Sequence, residues 1–490
     1  MSANPISRRM AGKPVARRVW KPSGCLKIHL ASVGVCALTL WLFSPATALI
    51  VSGVFVGIAL LTLGIVEARR ERLWLNPLSV FFFLFAVEMG PATIYAGVSL
   101  LTERSIDFPL MRIPVGDVAL GYFISLIGTF TMHLGLRAFR PSVRRQPMAR
   151  LTNWKPPVVV VLYSLGILAI YHPSWFLLLG IFGGMLQFGS MAVLLAFAFS
   201  GANVRSTLGM RLLFAAGVAI YVLAAFFSEN SSKSYTMLAF LPAIVFVSRR
   251  RQYHKWVPVV GLALLVLYLG IVAPAVNTSR NFQQGDPYDK IMTGLRSSSP
   301  FYTDKAVITS MEDQFDALMG RVFEIPQVTG FMVGQVRRTG FQLGSTMTDL
   351  YYAFIPRIIW PEKPVVSRGA WFTTYLGMAP SEAEATTSTG MTTFGEWYWN
   401  FGIPGVIVGM FLTGALLSGL WRLAGSNPIH DPASMVLYVA VILNILNLPD
   451  ATSPIVSDVA LYLLFGGWIF YRRIVDLRAI RLRVSHQSQF

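Results

Sequence analysis

Charge and cysteine are what this sequence has least of. Among 490 residues, 13% are charged against 54% hydrophobic, and cysteine occurs twice. So small a charged fraction cannot wrap a water-facing surface around that much apolar material, which excludes an ordinary soluble domain. Cys25 and Cys36 fall in or beside the first apolar run, so no disulfide can staple the segments further along. Nowhere does a glycine-rich loop end in Lys-Ser or Lys-Thr, which removes nucleotide hydrolysis. No His, Cys and carboxylate cluster stands at ligand spacing in the long polar stretch, so neither a metal nor another cofactor is expected. Inspection shows no internal repeat.

What is present is hydrocarbon in membrane-length blocks. A helix crossing a bilayer takes about 20 mostly apolar residues. Twelve runs fit, at 25–43, 48–66, 75–98, 117–136, 157–171, 176–200, 212–228, 235–247, 257–274, 402–421, 433–449 and 455–471. The runs at 157–171 and 235–247 are short and equally suit buried or re-entrant segments. The chain therefore reads as an all-α, polytopic integral membrane protein. It divides into a basic N-terminal tail (1–24), spans one to nine (25–275), a mainly helical outer domain (276–400), spans ten to twelve (401–472) and a basic C-terminal tail (473–490).

Lys and Arg number 41 against 23 Asp and Glu, a net charge of +18. With the N-terminus inside, 28 of those 41 fall on cytoplasmic segments beside only Glu67, Glu71, Asp431 and Asp476, as the positive-inside rule requires. The excess charge thus reports topology and contact with membrane lipids, both termini face the cytoplasm, and no nucleic-acid partner is implied. Ala46-Thr47-Ala48 imitates a signal-peptide cleavage site, but the long basic leader and the immediate second span read as a retained anchor. Inside the third span, Glu88 must face a cavity or find a partner, because a charge at mid-bilayer costs about 2.5 to 3.5 kcal/mol. It is expected to line a polar vestibule, and Pro91 to break the helix beside it. His133 reads as a packed or interfacial histidine.

The outer segment is too long for a plain connector. Apolar spacing predicts helices over 303–322 and 325–338. Next comes Tyr351-Tyr352-Ala353-Phe354-Ile355-Pro356-Arg357-Ile358-Ile359-Trp360-Pro361-Glu362-Lys363-Pro364, whose prolines dictate a stiff non-helical strap suited to a membrane interface. Arg357, Lys363 and Arg368 then stand where a lipid phosphate would lie, although Arg357 could equally pair with Glu362 or snorkel to headgroups. A short helix over 366–376 and a hydroxyl-rich turn, Thr386-Thr387-Ser388-Thr389-Gly390, lead to Thr392-Thr393-Phe394-Gly395-Glu396-Trp397-Tyr398-Trp399-Asn400-Phe401-Gly402. On a helix Thr393, Glu396 and Asn400 share one face. Glu396 between aromatic residues reads as a proton acceptor in a sugar subsite, with Trp397, Tyr398, Asn400 and Tyr351 as the sugar contacts. Against this, Thr393-x-x-Glu396 is also a capping-box pattern.

Ile355-Pro356-Arg357 with Trp360-Pro361-x-Lys363-Pro364, and Gly395-Glu396-x-Tyr398-x-Asn400-Phe401-Gly402-x-x-Gly405, resemble blocks around the last large outer loop of the Wzy-type O-antigen and oligosaccharide repeat-unit polymerases. The resemblance covers some 60 residues. It implies a bacterial inner-membrane glycosyltransferase that polymerises undecaprenyl-diphosphate-linked repeat units at the periplasmic face, with a chain-length regulator as a possible partner. Some members carry an Arg-x10-Gly motif in two outer loops; no Arg assigned to the outer side of this chain has a Gly at that distance. On this reading Arg357 and Arg368, with Lys363 and Arg280, stabilise the departing pyrophosphate, and Glu396, with Asp349 second, takes the proton from the acceptor hydroxyl. The competing readings are a lipid-linked oligosaccharide flippase or other secondary transporter, and an O-antigen ligase of the same chemistry.

Overall fold

The computed structural model describes residues 22–71, 76–102, 107–108, 111–140, 156–172, 175, 208–226, 319–320, 322–352, 355, 359–362, 368–377, 379–382, 384, 390–424, 432–449, 452 and 455. Over these residues the protein is helical, apart from a two-residue antiparallel pairing of Asp107–Phe108 with Met111–Arg112. The helices are α1 (Pro22–Leu42), α2 (Pro45–Glu71), α3 (Pro77–Val87), α4 (Thr93–Leu101), α5 (Val115–Ala138), α6 (Pro156–Tyr171), α7 (Leu208–Phe226), α8 (Glu324–Thr339), α9 (Arg368–Tyr375), α10 (Thr393–Ala424) and α11 (Pro432–Leu446). Among the described residues, five stretches are long and apolar enough to cross a membrane: Gly24–Leu42, Pro45–Arg70, Pro77–Leu101, Val115–Ala138 and Thr393–Ala424. The spans expected at 176–200, 235–247 and 257–274 lie outside the described residues. So do nearly all of 455–471, most of the helix expected at 303–322, and both tails.

Pro77–Leu101 crosses as one unit although Pro91 stands in its middle. The expected break does not occur. Glu88–Ala92 widens into a single π-turn between α3 and α4, which absorbs the missing amide donor of Pro91. The wider turn leaves carbonyls to satisfy, and two hydroxyls do so. Thr93 donates to the Glu88 carbonyl at 2.9 Å, and Tyr122 on α5 donates to the Met89 carbonyl at 3.0 Å. At the opposite end of the bundle the fully buried Glu67 of α2 is paired with Arg140 at 2.9 Å and Arg70 at 3.6 Å. His133 is buried and paired, its Nδ1 lying 3.1 Å from Nδ1 of His29 on α1.

Helix α5 is the centre of the fold, with α8 and α10 laid against it. Close approach there requires residues without side chains: a Cβ at Gly121 would collide with the backbone of Gly330 on α8. Ser125 and Thr329 hydrogen-bond across the same seam at 3.2 Å, and Arg337 pairs with Asp117. Those three contacts run antiparallel, so the N-terminus of α8 reaches deepest along α5. Every residue from Ile325 to Val333 is buried, against α5 and α10.

Replacing Gly121 by Val should drive α8 off α5, since overpacking a close backbone contact costs about 1–3 kcal/mol. The expected result is a fall of several degrees in the thermal unfolding midpoint of detergent-solubilised protein. A midpoint equal to wild type would mean that the seam is not tight.

Candidate functional site

Helix α10 is two helices. At Gly402 the backbone takes φ 66° and ψ −156°, a region that glycine alone enters at little cost. The carbonyl of Trp397 then faces Gly405, and its indole covers Gly409. Residues 393–401 therefore lie alongside the helix that follows instead of extending it. The longer arm, 403–424, spans about 33 Å by itself, and the short arm is a half-helix packed between it and α8. Span ten was expected to start at 402 as a simple crossing; what precedes it is a folded-back arm.

The reversal frees carbonyls at the end of the short arm, and the loop after α8 fills them. Gln342 and Leu343 donate their amides to the carbonyls of Trp399 and Asn400 at 3.0 and 3.2 Å. Gly344 donates to Oδ1 of Asn400 at 2.7 Å. Asn400 donates from Nδ2 to Oγ1 of Thr346 at 2.7 Å, and Thr346 donates that hydroxyl to Oε1 of Glu396 at 3.2 Å. Thr346, Glu396 and Asn400 are all buried. This chain of polar groups locks the short helical turn Ser345–Tyr351 onto the arm.

The other end of the arm is closed as carefully. Thr392, at φ 55°, is the N-cap: its hydroxyl accepts from the Gly395 amide at 2.9 Å. Thr392 and Thr393 give their own amides to the carbonyls of Pro449 and Leu448, just past α11. The capping box expected from Thr393 and Glu396 is therefore not formed; the cap sits one residue earlier. The second oxygen of Glu396 accepts instead from the Thr452 amide at 2.7 Å. A carboxylate with both oxygens engaged and no solvent exposure is held rigidly. It can give or take a proton only by surrendering one of those donors.

Glu88 plays the matching role for α8. Its Oε1 accepts from the Ile325 amide at 3.1 Å in the first turn of that helix, which has no side-chain cap of its own. A carboxyl oxygen placed there satisfies one of the amides that a helix N-terminus leaves without an intrahelical partner. The residue expected to line a vestibule has a backbone amide for a partner and is buried. Since Glu88 is near the midpoint of Pro77–Leu101, α8 begins about halfway along that span.

Of the remaining expected site residues, Asp349 is buried on the turn Ser345–Tyr351 and accepts from the Tyr352 hydroxyl. Tyr351 beside it is 85% exposed, and Trp360 and Ile359 of the strap are exposed as well. Tyr352 and Trp360 rings meet edge-on at 6.0 Å. Trp397 is occupied by the hairpin, and Asn400 is structural. Tyr398 is half-buried near the Arg337–Asp117 pair. Arg368 opens α9, while Arg357, Lys363, Arg280 and the turn 386–389 lie outside the described residues. Sequence reasoning did not single out Thr346, Thr452, Asp117 or the ring cluster on α9, because none carries a local motif; each is defined by a partner far along the chain.

A family model matches residues 117–426, which is more than half of the chain and takes in α5, α8, α9 and α10. The chain belongs to the DUF8712 family. That family is described as a domain of unknown function. No curated protein and no solved structure matches the chain.

The polar lock has a measurable signature. Thr346→Val leaves Glu396 and Asn400 each short of a buried partner, so it should cost about 1–3 kcal/mol of stability, with Thr346→Ser close to wild type. Combined with Asn400→Ala the loss should be less than additive. Strict additivity in chemical or thermal unfolding would show that the groups act independently.

Proposed function

We propose that this protein is a metal-independent glycosyltransferase that joins undecaprenyl-diphosphate-linked oligosaccharide repeat units into a cell-surface polysaccharide. It works at the periplasmic face of a bacterial inner membrane, with about twelve spans, both termini cytoplasmic and the 276–400 segment outside. One observation carries the reading. Thr346 and Asn400 tie the turn bearing Asp349, which precedes one of the blocks that resemble the repeat-unit polymerases, to the arm bearing Glu396, which belongs to the other.

In this reading the strap and the start of α9 supply Arg357, Lys363 and Arg368, with Arg280, to the pyrophosphate whose charge grows as the carrier departs. The acceptor hydroxyl needs a base that can release its existing partner. We give that role to Asp349 ahead of Glu396, because its carboxylate accepts a tyrosine hydroxyl beside the exposed Tyr351. Glu396 holds the arm in place. An O-antigen ligase would use the same donor and leaving group and differs only in the acceptor.

A transporter reading is favoured by a separate observation. Two half-helices, α8 and 393–401, begin inside the bundle instead of at its edge, and interrupted helices of this kind line substrate sites in secondary transporters. Purified protein incubated with a synthetic undecaprenyl-diphosphate repeat unit separates the readings. A product ladder with released carrier supports the polymerase, a single adduct on another acceptor supports a ligase, and lipid scrambling without product supports transport. For a polymerase, Arg357→Ala and Arg368→Ala should shorten the ladder. Asp349→Asn should abolish it while leaving the unfolding midpoint unchanged, whereas Glu396→Gln should lower both. A full ladder from Asp349→Asn removes that residue from the chemistry.

A further inference from the structure

Three helices place five aromatic rings together beside the outer end of α8. Trp371 and Tyr375 stand one turn apart on α9 and stack at 5.5 Å with planes 23° apart. Trp399 of the short arm tilts against both, at 6.2 and 5.2 Å. Phe372 lies beneath, between Trp399 and Phe331 of α8. Phe331, Phe372 and Trp399 are buried, but Tyr375 is 39% exposed and Trp371 is partly exposed. The inner three rings make a floor, and the outer two present an open edge.

Two polar features distinguish this cluster from plain packing. The indole Nε1 of Trp399 is buried without a hydrogen-bond partner, although the residue is only 1% exposed. A buried indole N–H normally finds an acceptor, and leaving it without one costs about 1–3 kcal/mol. At the rim, Gln335 of α8 faces the Tyr375 hydroxyl at 3.5 Å, with its carboxamide largely buried. Burial pushes the Tyr375 phenol up, with Arg338 pulling weakly the other way. That hydroxyl remains a donor at neutral pH.

We infer that Trp371, Tyr375 and Trp399, with Gln335, form a carbohydrate subsite that takes one pyranose ring of the glycan. A pyranose has an apolar face of polarised C–H bonds, which fits the negative face of a stacked aromatic ring. Its edge of hydroxyls supplies an acceptor for Trp399 Nε1 and partners for Gln335 and Tyr375. An acyl chain offers no acceptor to the indole, and a phosphate would bind the nearby arginines instead of the rings. The subsite deepens the polymerase reading and rests on it for the identity of the glycan. It moves sugar contact away from Trp397 and Asn400, whose side chains the hairpin and the polar lock already use.

The test uses full-length protein in lipid nanodiscs, with binding read on an array of synthetic bacterial surface oligosaccharides and the ladder assay run on the same preparations. Wild type should retain at least one oligosaccharide. Trp371→Ala and Tyr375→Ala should weaken that binding tenfold or more. Trp399→Phe keeps an aromatic ring but removes the N–H together with the pyrrole part of the indole, so it should weaken binding about tenfold while the cavity it leaves lowers the unfolding midpoint; Trp371→Ala and Tyr375→Ala, at partly exposed positions, carry the test without that loss of packing. No retained glycan on wild type, or Trp399→Phe and Trp371→Ala binding like wild type, overturns the subsite. If those variants bind normally while wild type makes a ladder, the subsite fails and the polymerase stands. If the variants lose binding that wild type shows, and wild type makes no ladder, the subsite stands and the polymerase reading falls.

Discussion

Every helix end inside an apolar bundle must find partners for its backbone, because no water is at hand to take their place. This chain puts several such ends where only other protein can reach them, and the architecture around its candidate site follows from satisfying them. The first turn of α8 leans on Glu88, and the start of the folded-back arm on the carbonyls after α11. Carbonyls at the arm's far end hold the loop 342–344. Even the π-turn at Pro91 borrows hydroxyls from Thr93 and Tyr122. Break any of these and a buried amide or carbonyl stands alone, at a cost of about 1–3 kcal/mol.

That constraint changes what the buried acids mean. An ionisable residue within a span is a functional candidate by default, and Glu88 and Glu396 both qualify. Yet each accepts a backbone amide, from Ile325 in the first turn of α8 and from Thr452 respectively, which is work a buried carboxyl oxygen does by satisfying a donor that no water can reach. Asp349 differs in that its carboxylate accepts a side-chain hydroxyl next to an exposed residue.

Local properties of the chain were legible and pairings were not. Membrane-length hydrophobic runs are local, so Pro45–Glu71 and Val115–Ala138 fall where the sequence put them. So is helical periodicity, and α8 and α9 begin and end within a residue or two of their expected bounds. The burial of α8 depends on Gly121 meeting Gly330 across 209 residues of chain, which no periodicity encodes. The cap moved from Thr393 to Thr392 because Thr392 adopts a positive φ, a state that a capping pattern does not reveal. Gly405 and Gly409 both meet Trp397 of the same hairpin, a contact that local sequence does not reveal. Glu396 was recognised as important from its neighbours, while its real partners stand 50 and 56 residues away.

The family match bounds this construction. Residues 117–426 contain both half-helices and the α5 surface that carries them, so the region owns the packing of the site. It does not own all of the closure. Glu88, which caps α8, precedes it, and Leu448, Pro449 and Thr452, which engage Thr392, Thr393 and Glu396, follow it. Cut at the family bounds, the arm and α8 would each begin with amides that had lost their acceptors inside an apolar bundle. Two helical ends exposed in that way cost several hydrogen bonds at once, which is comparable with the whole stability of an ordinary domain. The spans before residue 117 and after residue 426 are therefore part of the site's structure, and a piece of this chain that keeps these closures runs from α3 and Glu88 through the residues past α11 to Thr452.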